Sequence, residues 1–489
     1  MNRVMLLYPP GKLYQRGEDR AQCNIEDSTA SSVHACNDLG YAAAILRKKG
    51  YEVFLRDYQT ERKAFADVER DLLTFRPDLV FLSTTNATIF DDLSFVHRVH
   101  GVITCKTVLK GAIFFDADLE KLAVLDLGEV DCAIGGELEF VIGDIADCLL
   151  KGQGTLSAIP GIVFGDEDGL RKTAFTCSAE NLDSLPFPAR DLMNNKLYVR
   201  PDTGAPMATI SVARGCPSNC IYCLTPRITG RDVRCRSVES VLAEMRECYE
   251  TYGIRDFFFK ADTFTLNNAW AIALCEGILR SPLSGKIAFT VNGRADTLTP
   301  ELLQKMKAAG CFMLAIGFES GSDKSLELMK KGTSVQKNLE AAAMIKQAMI
   351  PLFGFFMLGF PWETEADIRA TFDHILQIDP DFVELHVAMP FYDTALYDLC
   401  KEAGTLADGA FGFDYVTPNT TGTAHVPMER LLELKHRFLL RFYTRPRYLF
   451  ARAAECLRDP RALGHYFVYG MRLLRHNLRL NPTKKGGES

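Results

Sequence analysis

Over the first 150 residues, apolar runs alternate with segments whose apolar residues recur at helical spacing. "RVMLLYPP" is a continuous apolar run ending in Pro9 and Pro10, which predicts a buried strand and then a loop. "DLGYAAAILRKKGY" carries the helical period and stops at Gly50. "EVFLRDY" reads as a strand, "FADVERDLLTFRPD" as a helix, and "LVFLSTTNAT" as a strand running into a polar loop. "DDLSFVHRVHGV", "TVLKGAI" and "VDCAIGG" continue the alternation. This order predicts a parallel, doubly wound α/β sheet, with ligands beyond the carboxyl ends of its strands. Those ends are Pro9-Pro10, Ser83 to Thr88, Gly111 and Gly135-Gly136-Glu137. No G-x-G-x-x-G opens a helix after the first strand, so a dinucleotide is not the favoured ligand.

Residues 151–205 hold "SAIPGIVFGDEDG", read as a hairpin, and "LDSLPFPARDLM", read as linker. A second series begins near residue 206. Its expected strands are "MATISVARG", "RDFFFKAD", "KIAFTVNGR", "CFMLAIGFES", "PLFGFFMLGF" and "DFVELHVAMP". Helices such as "SVESVLAEMRECYETYG" and "TPELLQKMKAAG" lie between them. Six βα units in succession predict a partial (β/α)6 barrel of TIM type over 206–400. A basic helical region follows over 401–489. From Val426 it carries 14 Lys and Arg against 5 Asp and Glu.

Composition narrows the picture. The chain has 489 residues, 47% hydrophobic and 24% charged, which suits several globular domains. A net charge of −6 argues against general nucleic-acid binding. The start lacks a signal-peptide pattern, and no apolar run is long enough to span a bilayer. Fifteen scattered cysteines, mostly in apolar runs, fit buried thiols in a reducing cytoplasm.

Three cysteines break that rule. "RGCPSNCIYC" spaces Cys216, Cys220 and Cys223 by three residues and then two, on the loop after the first barrel strand. A barrel's chemistry sits at that end of its strands. Structural zinc takes four ligands, and Cys235 in "VRCRS" is the only candidate fourth. Three thiolates on an iron–sulfur cube leave one iron uncovered for a substrate or cofactor.

This C-x-x-x-C-x-x-C resembles the signature of the radical S-adenosylmethionine (SAM) superfamily. The resemblance implies a [4Fe-4S] cluster on Cys216, Cys220 and Cys223, with SAM on the open iron and cleaved to a 5′-deoxyadenosyl radical. Further residues at successive strand ends fit it. These are Tyr222 before the last cysteine, Asp262 and Thr263 in "FFKADTFT", and Asn292 and Arg294 in "VNGRAD". They continue with Glu319 and Ser320 in "GFESGS", and Gly359 with Pro361 in "MLGFPWET". The resemblance implies SAM contacts from them, Arg294 and Asn292 on the ribose or carboxylate.

A parallel α/β domain ahead of such a barrel resembles the cobalamin-binding radical SAM subfamily. It implies a Rossmann-like domain with cobalamin across its strand ends. Ser83, Thr84, Thr85, Asn86 and Thr88 would offer hydrogen bonds there, with Gly136 and Glu137 alongside; the bland alternative is that these hydroxyls cap the next helix. Two features depart from the pattern: "VLKGAIFF" in place of a Gly-Gly pair, and no D-x-H-x-x-G. The implied reaction is methyl transfer to an unactivated carbon of a hydrophobic small molecule, lipid or tetrapyrrole. Ring closure or rearrangement with the same cofactors is the alternative, and methylthiotransfer a further one. A non-catalytic electron-transfer or metal-sensing protein is the rival outside enzymes. The expected partners are the small-molecule substrate and an external electron donor of flavodoxin or ferredoxin type, with no nucleic acid. The basic C-terminal region reads as a helical cap, with peripheral membrane contact as the alternative. The charges of "RGEDR", residues 16–20, read as solvated.

Overall fold

The computed structural model describes residues 1–17, 25, 33–175, 181–409, 411–414 and 418–458. Its first sheet holds β1 (Arg3–Tyr8), β2 (Glu52–Asp57), β3 (Leu79–Ser83), β4 (Lys106–Lys110), β5 (Cys132–Ile134), β6 (Ile162–Asp166) and β7 (Gly169–Lys172). The strand order is β2-β1-β3-β4-β5-β6-β7. The first five strands are parallel. The strand order reverses between β1 and β3, which makes the crevice there the topological switch point. The continuous apolar runs follow from burial on both faces. In β1, Val4 and Leu6 enter one core layer, and Met5 and Leu7 the other.

One boundary differs from the sequence reading. The hairpin β6–β7 is not linker: β6 pairs antiparallel with β5 and extends the first sheet beyond residue 150. A two-stranded hairpin is marginal alone and gains stability by joining a sheet.

The second sheet holds β8 (Met207–Arg214), β9 (Arg234–Cys235), β10 (Asp256–Ala261), β11 (Ala288–Gly293), β12 (Cys311–Glu319), β13 (Leu352–Leu358) and β14 (Phe382–Val387). Its order is β14-β13-β12-β11-β10-β8-β9. All six long strands run parallel, and the short β9 runs antiparallel to β8. The sheet ends at edges β14 and β9, so the barrel is partial, as expected. Outer helices start on side-chain caps: Ser237, Asn267, Thr299, Ser334 and Thr364 each accept a backbone N–H from their own first turn. Each cap contributes about 1 kcal/mol.

The helix Met428–Tyr443 buries Leu431, Leu434, Phe438 and Phe442 in the barrel's core. Phe438 stacks on Phe372 with ring centroids 4.3 Å apart. This part of the C-terminal region is a packed cap. The next helix, Pro446–Arg458, leaves Leu449, Phe450 and Leu457 exposed. The motif "HYFVYGMRLLRHNLRL" lies outside the described residues. No helix among the described residues is long and apolar enough to cross a membrane.

Candidate active site

The cysteine loop leaves β8 through Gly215, which has φ +93°. A Cβ there would run into the Asp232 carbonyl, so only glycine lets the chain turn. Asp262, at the end of β10, closes the loop: its Oδ2 accepts the Gly215 N–H at 2.6 Å and the Thr229 hydroxyl at 2.5 Å. The Cys216 N–H donates to Gly230 O at 3.0 Å, and the Ile221 N–H to Met329 O at 3.1 Å. These bonds fix both halves of the loop against the barrel.

Cys216, Cys220 and Cys223 all line one cavity of about 420 Å³ running through the barrel. Among the described residues, no three His, Cys, Asp or Glu side chains converge closely enough for a single metal ion. A four-iron cube takes its thiolates on separate irons, whereas structural zinc gathers four ligands on one ion. Cys235, in β9, packs against the barrel core and is not on the cavity.

The cavity also receives Tyr222, Asp262, Thr263, Asn292, Arg294 and Glu319. Glu319 sits at φ +65°, a conformation that non-glycine residues rarely adopt. Its carboxylate accepts the Lys331 ammonium at 2.6 Å, with both side chains buried. Burial pulls the Lys331 amine down, but Glu319 outweighs it and holds it above its ordinary value. Burial, and then Glu319, push the Tyr222 phenol well above its own. Two predicted residues stand elsewhere. Ser320 is fully buried, and its hydroxyl is 3.2 Å from that of Thr371. Gly359 donates its N–H to Glu363 at 2.7 Å, inside the turn after β13. Neither lines the cavity.

Away from the cysteines the wall is mostly aromatic and thioether: Phe258, Phe312, Phe353, Phe355 and Met357. Glu384 and His386, on β14, face the same space. Burial, with Lys435 adding to it, pushes His386 down to about 3, so its imidazole is neutral at physiological pH. Lys331, Glu384 and His386 were not singled out in the sequence. The inward side of each strand alternates, so Glu384 and His386 were legible as one face of "DFVELHV". Lys331 lies between two helices, and no spacing pointed to it.

The carboxyl ends of the first sheet are arranged differently. Ser83 donates to Asp38, as does the Tyr8 hydroxyl. Thr84 and Thr88 donate to Asp92 at 2.6 and 2.7 Å. Thr85 pairs with Thr88 at 3.0 Å. Asn86 accepts the Gly412 and Phe413 N–H groups at 3.1 and 3.3 Å. The hydroxyls of Ser83, Thr84, Thr85 and Thr88 therefore each have a partner within the protein. Arg16 completes the network, and here the expected solvation of "RGEDR" is corrected. Arg16 is buried, makes a two-pronged ion pair with Asp92 at 2.8 and 2.9 Å, and donates to Ser83 O at 2.7 Å. A buried aspartate beside three hydroxyl-bearing residues needs a counter-charge, and Arg16 supplies it. Residues 18–20 of that motif lie outside the described residues.

Glu137 faces the barrel. Its carboxylate pairs with Arg214 at 2.6 Å and Arg234 at 3.0 Å, while Glu139 pairs with Arg214 at 2.5 Å. Burial pushes Glu139 up, but Arg214 outweighs it and holds the carboxyl below its ordinary value. Gly136 leaves bare backbone against which the Phe175 ring lies, where a Cβ would collide. Phe175 meets Phe115 edge-on at 4.5 Å.

Residues 210–375 match the sequence profile described as the Radical SAM superfamily. This stretch of the chain is a radical SAM domain. The domain so matched carries the cysteine loop, β10 to β13 and the cavity between them. An uncharacterized methyltransferase of Pyrococcus horikoshii is 27% identical to this chain over 411 residues, 84% of this chain and 88% of that protein. The hopanoid C-3 methylase of Methylococcus capsulatus is 27% identical over 73% of this chain and 67% of its own length. Among solved structures, the cobalamin-dependent SAM radical enzyme OxsB, with aqua-cobalamin and SAM bound, superposes with a TM-score of 0.70. It shares 18% identity and covers 95% of this chain and 72% of its own, which shows a common fold.

The donor set fits a cluster with SAM: three cysteines outside any disulfide on one cavity, with the Arg294 and Lys331 cations beside them. For cobalamin, the predicted hydroxyls already hold partners within the protein. The cavity reaches Gln15 and His34 from the first sheet's loops, so one space joins both sheets.

Proposed function

We propose that this radical SAM chain is a cobalamin-dependent methyltransferase acting on an unactivated carbon of a hydrophobic small molecule. One observation carries the reading. The three cysteines open into a cavity lined largely by phenylalanine and methionine, and that cavity reaches Gln15 and His34 in the segment after β1 of the doubly wound sheet. Similarity to methyltransferases over 84% and 73% of this chain supports it.

When bound, the cluster supplies the electron that splits SAM, and methylcobalamin supplies the methyl group. The chain's residues hold and orient. Cys216, Cys220 and Cys223 would hold the cluster, with three thiolates for its four irons. Thr263, Asn292 and Glu319 share that end of the cavity and are placed to orient SAM. The phenylalanine wall keeps water from a reactive carbon centre. Glu384 and the neutral His386 offer the polar contacts for one end of an otherwise apolar substrate. The reductant is an external donor of flavodoxin or ferredoxin type. If the substrate is a lipid, the exposed apolar side of helix Pro446–Arg458 is the face that would meet a membrane, and flotation with anionic liposomes tests that.

The deciding experiment is anaerobic reconstitution of the full chain with iron, sulfide and hydroxocobalamin, followed by reduction with methyl-labelled SAM and candidate lipids and tetrapyrroles. Labelled methyl in a product, together with 5′-deoxyadenosine, is the expected result. 5′-Deoxyadenosine with an unlabelled, rearranged product would replace methyl transfer with cyclisation. Iron without bound cobalt would remove the methylcobalamin step.

A further inference from the structure

Arg294 was expected to contact the ribose or carboxylate of SAM, and its surroundings point to another task. Its Nε and Nη2 donate to the two carboxylate oxygens of Asp296, at 2.9 and 2.8 Å. Nη2 also donates to the Lys331 carbonyl. A two-pronged carboxylate grip fixes the guanidinium plane. What remains free to reach outward is Nη1, and it lies 3.7 Å from the Cys220 sulfur. Arg294 is only 7% exposed, so its charge acts on that sulfur with little screening by solvent.

We infer that Arg294 is a positioning residue for the cluster: it holds the Cys220 thiolate and makes the bound cluster easier to reduce. The inference rests on Cys216, Cys220 and Cys223 carrying the cluster. Reduction adds one electron, supplied by the external donor, to a centre already ligated by anionic thiolates. A hydrogen bond and a buried cation at one of those sulfurs favour the more negative state, and so raise the potential. Lys331 adds a second buried cation near the same sulfur, but Glu319 neutralises most of its effect. Arg294 also spends its grip on Asp296, which counts against its field but not against its hydrogen bond. The direct bond to sulfur is therefore the decisive contact.

The test compares the anaerobically reconstituted full chain with Arg294→Gln, Arg294→Lys and Asp296→Asn. Iron and sulfide are counted, and the cluster midpoint is read by potentiometric titration with electron paramagnetic resonance. SAM binding is read separately from the change it makes in the reduced-cluster spectrum. Arg294→Gln is expected to keep about four irons and to move the midpoint to a more negative potential. Arg294→Lys should recover part of the shift, and Asp296→Asn, which loosens the guanidinium, should reproduce part of it. SAM should still perturb the spectrum in every variant. An unchanged midpoint with loss of the SAM effect would overturn the inference and return Arg294 to SAM. If Arg294→Gln loses its iron, the midpoints of the other two variants decide: values equal to wild type overturn it. A wild-type chain that assembles no four-iron cluster would sink the underlying reading instead, and that failure is visible before any variant is made.

Discussion

Two rows of polar residues close two parallel sheets in this chain, and they do opposite things. At the end of the first sheet, Ser83, Thr84 and Thr88 turn inward onto Asp38 and Asp92, Thr85 pairs with Thr88, and Arg16 balances the charge. At the end of the barrel, the cysteines, Thr263 and Asn292 face open space. Burial is similar in both places: Thr85 and Thr263 are both largely enclosed. What separates them is whether the protein completes the hydrogen bonds itself. A buried polar group needs a partner, so a row satisfied internally is scaffold, and one that borders a cavity is available to a ligand.

The largest test of that contrast lies with the cysteines. Cys216→Ser, Cys220→Ser and Cys223→Ser should each cut SAM cleavage by at least about a thousandfold, measured as 5′-deoxyadenosine formed. Cys235→Ser should leave it near wild type. Equal losses at all four would break the distinction between the cavity thiols and the core thiol.

Next in size is the internal row. Arg16→Met strands Asp92 without its counter-charge, and breaking a buried pair costs about 3–5 kcal/mol. The urea midpoint of the first sheet's unfolding should fall accordingly. A stable variant would show that the network is not what holds this sheet end.

Glu363 sharpens the comparison within the barrel, because one of its carboxylate oxygens accepts the Gly359 and Phe360 N–H groups while the other is buried without a partner among the described residues. Burial pushes its carboxyl up to about 7. A raised carboxyl favours the folded state fully below the unfolded value, near 4.5, and that contribution is lost as pH rises to about 7. Glu363→Gln should therefore match wild type near pH 4.5 and exceed it at pH 8 by on the order of 2–3 kcal/mol, read as a thermal midpoint. Equal midpoints at pH 8 would mean that the charged carboxylate carries no penalty in its buried turn.

The smallest effect belongs to Thr85→Ala, expected to cost about 0.5–1.5 kcal/mol and to leave cobalamin retention unchanged. Loss of cobalamin with stability intact would move Thr85 from scaffold to ligand contact.

Much of the architecture was legible because it is local. Both-sided burial writes strands such as β1 and β3 as unbroken apolar runs, and the cysteine spacing lies within one loop. The hairpin was recognised as a hairpin, but its union with β5 depends on a sheet edge that no local pattern marks. The roles of Arg16, Arg294 and Lys331 were hidden for a similar reason. Arg16 meets Asp92 across 76 residues, and Lys331 meets Glu319 only because β12 ends where the next helix pair returns. Threonine-rich strand ends read alike in sequence whether they serve a ligand or an aspartate.

The joint formed by Arg214 and Arg234 with Glu137 and Glu139 has a consequence for building hybrids of this family. Arg214 is the last residue of β8 and immediately precedes the glycine that opens the cysteine loop, while both glutamates belong to the other half of the chain. A graft that exchanges the leading half for a relative's would bring a foreign surface against those arginines. Compatibility between donor and recipient is therefore decided at four side chains on the seam, and matching them matters more than overall likeness when such chimeras are chosen.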